Sequence, residues 1–172
     1  MLINTSMRPF ARIHERLRAS AWPMLIYIAA SWRQPERYET AIHRLTCNRT
    51  QTRDADIARW AQVRRTHGAS ASSALRQLFA AACFRASDDA PRCPALLFSS
   101  AVDRLVDPIC SVRIVAHWRV AHAVHPWAGH DLPHDDAGWT CDAIAAWLGE
   151  HEGTRDARVT NTYVTNLHRC KS

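Results

Sequence analysis

Apolar residues recur at helical spacing through the first half of the chain, and the pattern changes character near residue 94. The chain opens on Met1-Leu2-Ile3-Asn4-Thr5, a short β-prone run that must pair with another strand to persist. From 7 to 92 the spacing predicts mostly helix. A charged helix is expected over Arg8 to Ala19, and an apolar one over Trp22 to Trp32. Pro35 to Cys47 carries its proline in the first turn and sets Tyr38, Ile42 and Leu45 on one side. Asp54 to Thr66 aligns Ile57, Trp60, Ala61 and Arg64 and ends at His67-Gly68. Ser72 to Ala86 places Leu75, Leu78, Phe79 and Ala82 on one face.

Beyond that point, strands and helices alternate. Pro94-Ala95-Leu96-Leu97-Phe98-Ser99-Ser100 is a continuous apolar run, as a buried parallel strand requires. Pro108 to Arg119 is helical, with Ile109, Val112 and Ala116 spaced for one face. Ala121 to His125 is a second strand, followed by a Pro-, Gly- and His-rich loop over 126–133. Asp135 or Asp136 then caps a helix running to Leu148, with Trp139, Ala143, Ile144, Trp147 and Leu148 inward and Gly149 closing it. Strand, helix, strand, helix over 94–149 predicts a parallel α/β layer. The tail, 150–172, shows no sustained periodicity and is expected to be disordered, with a stray strand possible over Val159 to Leu167.

Composition narrows the classes. The chain has 172 residues, 47% of them hydrophobic, enough for a real core. Its net charge of +6 lies in the first half, where residues 1–90 hold 14 Arg against 7 acids. These arginines are spread along helices rather than clustered, so solvated faces are expected and nucleic acid is not. The six cysteines form no CxxC pair and no disulfide framework, which fits a reducing compartment. The longest apolar run, Ala21 to Trp32, is broken by Pro23 and too short to span a bilayer. A cytoplasmic protein with no membrane span follows.

In a parallel α/β sheet, chemistry sits in the loops after the strands. The first such loop is Ser100-Ala101-Val102-Asp103-Arg104-Leu105-Val106-Asp107-Pro108, which delivers carboxylates. The second is His125-Pro126-Trp127-Ala128-Gly129-His130-Asp131-Leu132-Pro133, which delivers a histidine. An acid that fixes an imidazole, and an imidazole that takes a nucleophile's proton, are two thirds of a catalytic triad. His122, His125, His130 and His134, with Asp131, Asp135 and Asp136 nearby, also raise a metal site. Their spacing matches no helix-borne HExxH pattern, and His122 and His125 point to opposite faces of a strand. No metal and no cofactor are therefore expected. Trp127 and Trp139 read as packing residues, and Ser6 as a loop residue.

The strand, the Asp-Arg-Leu-Val-Asp-Pro run, a helix, a second strand and Ala-Gly-His before a closing helix resemble the C-terminal end of the α/β-hydrolase family. The order, acid before histidine, is also that family's order. The resemblance implies Asp103 as the triad acid and His130 as the triad histidine. Asp107 is the fallback acid, more simply read as the cap of the helix at Pro108. Leu2-Ile3-Asn4-Thr5 looks like the strand that follows the helix behind the nucleophile, and 7–92 like a helical cap over the active site. The implied organisation is a partial α/β-hydrolase core over 1–6 and 93–149, made of three short parallel strands with flanking helices. The cap insertion covers 7–92, and the tail 150–172.

The chain departs from the family at one decisive point. A nucleophile elbow is Gly-x-Ser-x-Gly, and the nearest match, Gly68-Ala69-Ser70-Ala71-Ser72, lacks the second glycine and follows a helix. The expectation is an esterase-like hydrolase fragment. Its small carboxyl-ester or acyl substrate is turned over only when an N-terminal half supplies nucleophile and oxyanion hole, and the isolated chain is expected to aggregate. The alternative is a non-catalytic remnant or interaction module that pairs, or self-associates, through an exposed sheet edge.

Overall fold

A computed structural model describes residues 1–151. In chain order the first unit holds β1 (Leu2–Ile3), α1 (Ile13–Arg16), a 3-10 turn (Ala19–Ala21), α2 (Trp22–Ala30), α3 (Pro35–Thr46), α4 (Arg53–His67) and α5 (Ala71–Cys83). It continues with β2 (Leu96–Ser100), α6 (Ile109–Trp118), β3 (Ala121–His125) and α7 (Leu132–Asp135). This unit covers Met1–Asp136, and a second begins at Ala137. The strands form one parallel sheet in the order β1-β2-β3. Leu2 pairs with Leu97 and Ser100 with His125, so all three strands end at the same edge. The central strand, Leu-Leu-Phe-Ser-Ser, is buried at all five positions, which is why it reads as an unbroken apolar run. The architecture is α/β and matches the three-stranded layer expected from the sequence.

Leu97 on β2, Ile114 on α6 and Met7 form one buried cluster, onto which Leu2, Phe10, Val115 and Trp118 pack. The buried face of α6 is Cys110, Ser111 and Ile114, while Ile109 and Val112 are 43% and 44% exposed. The face expected from Ile109, Val112 and Ala116 is thus the solvent side. Apolar residues lie on more than one side of this helix, and it turns to the sheet the side bearing Ile114 and Trp118. Asp107 does cap this helix, its Oδ1 accepting the Ile109 N–H at 3.0 Å.

The helical stretch has its own core: Ala21, Ile28, Ala41 and Leu45, with Tyr38 and Ile42 against them. Arg64 lies over the ring of Tyr38 at 3.5 Å and of Trp32 at 4.4 Å, which binds α4 to α3. The charged helix expected over Arg8 to Ala19 shrinks to four residues, Ile13–Arg16. Tertiary hydrogen bonds win there. Arg18 N–H donates to Leu105 O and Asp107 N–H to Arg16 O, and Leu17 bridges Val106, so the chain is drawn out alongside the loop after β2. On α5, Leu75, Leu78 and Phe79 are 66%, 66% and 71% exposed, so its apolar stripe faces solvent.

The second unit is helical over 137–151. The helix runs through Gly149, which therefore does not close it, and Leu148, expected inward, is 46% exposed. The helix expected after Asp135 or Asp136 begins directly after Asp136, while Asp135 closes the short α7 before it. The tail from 152, with the stray strand considered at Val159 to Leu167, lies outside the described residues. Among the described residues no helix is long and apolar enough to cross a membrane.

Candidate functional site

Asp103 and His130 come together at the carboxyl edge of the sheet. Asp103 follows β2 in a tight turn, its N–H donating to Ser100 O at 3.2 Å. One carboxylate oxygen, Oδ1, accepts the Leu105 and Val106 N–H groups at 2.8 and 3.0 Å. The other, Oδ2, lies 2.8 Å from His130 Nδ1. Both oxygens are spoken for, so the carboxylate cannot swing away. Its side chain is 0% exposed and that of His130 25%. An Asp103 acceptor assigns the proton to Nδ1 and leaves Nε2 as the basic nitrogen. Nε2 makes no hydrogen bond among the described residues.

Burial by itself would lower the His130 pKa. The Asp103 hydrogen bond and the charges of Asp103 and Asp131 outweigh it and raise the pKa above the ordinary 6.5. The folded state therefore favours the imidazolium. Its contribution to stability is fully present below about 6.5 and is lost as pH rises through the raised folded value. We expect an NMR titration of the His130 ring to give a midpoint above the ordinary 6.5, with Asp103→Asn returning it downward. A midpoint at or below 6.5 would contradict this charge balance.

Asn4, which ends β1, holds the two loops in place. Its Nδ2 donates to Ser100 Oγ at 3.0 Å, Gly129 O at 3.3 Å and His130 O at 2.7 Å, and its Oδ1 accepts the Ser100 N–H at 2.8 Å. The residue is buried and sits at φ 44°, a left-handed conformation that asparagine tolerates better than most side chains. Asn4→Ala would leave these buried groups unmatched, at a cost of about 2–3 kcal/mol. A urea melt of the chain unchanged by the substitution would show that water replaces the amide.

Asp135 anchors the histidine loop from below. Its carboxylate accepts N–H groups from Gly129 at 2.6 Å, Asn48 at 2.8 Å and Arg49 at 2.9 Å. Asp131 N–H donates to Thr46 O, and Arg104 to Cys47 O at 2.6 Å, so the end of α3 grips both loops. His125 is buried; its Nδ1 accepts the Ala128 N–H at 2.9 Å, which directs the Nε2–H toward Asp136 at 3.3 Å. These anchors were not apparent in sequence, since an aspartate before a helix reads as a cap.

The other candidates resolve locally. Ser6 Oγ accepts from Arg16, and Ser70 Oγ caps α5 through the Ser73 N–H. His122 bonds Ser99, His125 faces Asp136, His130 faces Asp103 and His134 faces Asp56, so the four histidines do not converge on one point. Cys47 is no ready nucleophile, since burial pushes its thiol up to about 12. Trp127 is 45% exposed and stands edge-on to His125.

Among solved structures, 2-hydroxy-6-oxo-6-phenylhexa-2,4-dienoate hydrolase from Rhodococcus sp. strain RHA1 superposes with a TM-score of 0.55 over 87% of this chain, at 17% identity. The fold is that of an α/β-hydrolase. The match takes in 53% of the Rhodococcus enzyme, so the chain spans about half of that enzyme's length, and it corresponds to the C-terminal part. No protein-family model and no curated protein sequence matches the chain.

Proposed function

We propose that the chain supplies the acid and the histidine of a serine-hydrolase triad. His130 is the general base and acid, and Asp103 the residue that orients it. The observation that carries this reading is the 2.8 Å Nδ1–Oδ2 hydrogen bond between two strand-end loops, with no hydrogen bond to His130 Nε2 among the described residues. In such a centre Nε2 takes the proton of an attacking serine and returns it to the leaving group. Asp103 keeps Nδ1 protonated and stabilises the imidazolium. The serine and the oxyanion donors come from outside these 172 residues, since no Gly-x-Ser-x-Gly occurs in them. The substrate class is a carboxyl ester or related acyl compound, and the helices between β1 and β2 serve as the cap. The Rhodococcus enzyme, a hydrolase of a phenylhexadienoate, supports an organic acyl-type substrate over a macromolecule.

A serine-directed fluorophosphonate probe tests this reading. The source gene is translated with the codons upstream of Met1 included, and separately without them. Labelling of the longer product, lost on His130→Ala, is the expected result; no labelling of either would remove the catalytic reading. A second reading is favoured by β1, which has β2 as its only strand neighbour among the described residues. Such an edge can pair with another chain. Sedimentation of the 172-residue chain would then show a dimer or larger species, and a monomer at all concentrations would exclude it.

A further inference from the structure

A second cluster of chemically capable side chains lies where α3, α4 and α7 meet, apart from the Asp103–His130 pair. His43 on α3, Cys47 one helical turn later and His134 on α7 each offer a donor atom, and these atoms all lie within 4.8 Å of one another. His43 and Cys47 are related as i and i+4, the spacing that puts two ligands on one helix face. His43 is 0% exposed, yet neither of its ring nitrogens has a hydrogen-bond partner. Burying an imidazole with both nitrogens unmatched forfeits its hydration for nothing, and such a group calls for an ion or a water. The Trp60 ring walls the site, 5.6 Å from the His43 ring and 5.1 Å from that of His134.

We propose that His43, Cys47 and His134 bind one zinc-class divalent cation. One thiolate and two imidazoles are a borderline-soft donor set that suits zinc and not magnesium or calcium. Bond lengths of about 2.3 Å to sulfur and 2.0–2.1 Å to nitrogen put tetrahedral ligand atoms about 3.3–3.8 Å apart. The side chains therefore close by about an ångström, within the reach of small rotamer shifts. Asp56, whose Oδ2 lies 3.3 Å from His134 Nε2 and accepts the Thr52 hydroxyl at 2.6 Å, stands beside the three-atom cluster as a neighbouring negative charge, and the fourth position would go to water. On binding, the Cys47 thiol proton passes to solvent, and thiolate plus Asp56 carboxylate balance the two positive charges. Arg53 bears on His43 with the opposite sense, but Asp131 and Asp135 also face the cluster and offset it. The bound ion would join α3, α4 and α7, the elements that hold the histidine loop. The proposal is independent of any catalytic role for that loop.

Cobalt(II) is the probe. The full chain, stripped with chelator, is titrated with Co²⁺ and followed by visible and near-ultraviolet absorption. The expected result is a tetrahedral ligand-field spectrum with a thiolate-to-cobalt charge-transfer band that saturates at one equivalent and is displaced by Zn²⁺. Cys47→Ser, nearly isosteric, removes the charge-transfer band, and His43→Ala weakens binding at least about tenfold. Zn²⁺ also raises the Tm of the natural chain and not of the variants. Absence of the charge-transfer band in the natural chain overturns the proposal without reference to any variant. So does a band that survives Cys47→Ser, which would place the metal on another of the six cysteines.

Discussion

On the proposed triad, removing the imidazole of His130 should lower kcat of the protein completed with a nucleophile by about 10⁴- to 10⁶-fold. The basic Nε2 and the orienting Nδ1–H belong to one ring, so His130→Ala deletes proton transfer in both directions. Asp103→Asn is expected to cost about 10⁴-fold. An amide at the position of Oδ2 would donate to Nδ1, forcing the proton to Nε2 and leaving no base for the serine. The measurement is single-turnover acylation by an activated ester, with circular dichroism to show that each variant is folded. Retention of more than about a tenth of the natural rate by folded His130→Ala would end the triad reading. Because the His130 pKa is raised above 6.5, the rate should climb with pH through that higher value as the imidazole loses its proton, and the climb should vanish in His130→Ala.

Gly129→Ala is expected to be the most damaging small change to the scaffold. A Cβ there would stand 2.4 Å from Thr46 O, 3.0 Å from Thr46 C and 3.2 Å from Asp135 Oδ2. The first two atoms are backbone at the end of α3 and cannot rotate aside. Gly129 is also fixed through its own backbone, its N–H to Asp135 and its C=O to Asn4. The loop must move as a piece, and overpacking of this kind costs about 1–3 kcal/mol. For a domain of this size that corresponds to a Tm lower by about 4–10 °C. The displacement is passed to the next residue, His130, so its hydrogen bond to Asp103 suffers together with stability. Gly149→Ala is the control. A Cβ at Gly149 meets nothing within 4 Å, and a helical glycine replaced by alanine should stabilise by about 0.5–1 kcal/mol. Equal melting temperatures for the two variants would show that the Gly129 loop is not packed against α3 as described.

The acid and the histidine were legible in the sequence because each follows a strand whose apolar run is hard to mistake, and because parallel strands deliver their loops to one edge. Helices α3 and α4 were legible for a similar reason, since Pro35 opens one and Gly68 follows the other. The same reasoning misplaced the face of α6, where apolar residues lie nearly all round and only docking on Leu97 selects Ile114. It overextended α1, where local charge pattern favours helix but hydrogen bonds to Leu105 and Asp107 draw the strand-like course. It offered Asp135 beside Asp136 as the cap of the last helix; that helix starts after Asp136, and the Asp135 carboxylate instead takes the distant Asn48 and Arg49 N–H groups.

By itself, then, the sequence determined the parallel α/β layer, the position of Asp103 and His130 on adjacent strand-end loops, and the lack of a nucleophile elbow within these 172 residues. These depend on hydrophobic periodicity and residue order, which are local properties. Only the tertiary structure decided that Oδ2 of Asp103 meets Nδ1 of His130, that Asn4 ties both loops to β1, and that His43, Cys47 and His134 share one buried point. The Asp103–His130 and Asn4–His130 contacts join residues 27 and 126 positions apart, and His134 comes to the helical i, i+4 pair His43 and Cys47 from another element. Such geometry arises from how the helices and strands pack, and no spacing along the chain encodes the long-range partner.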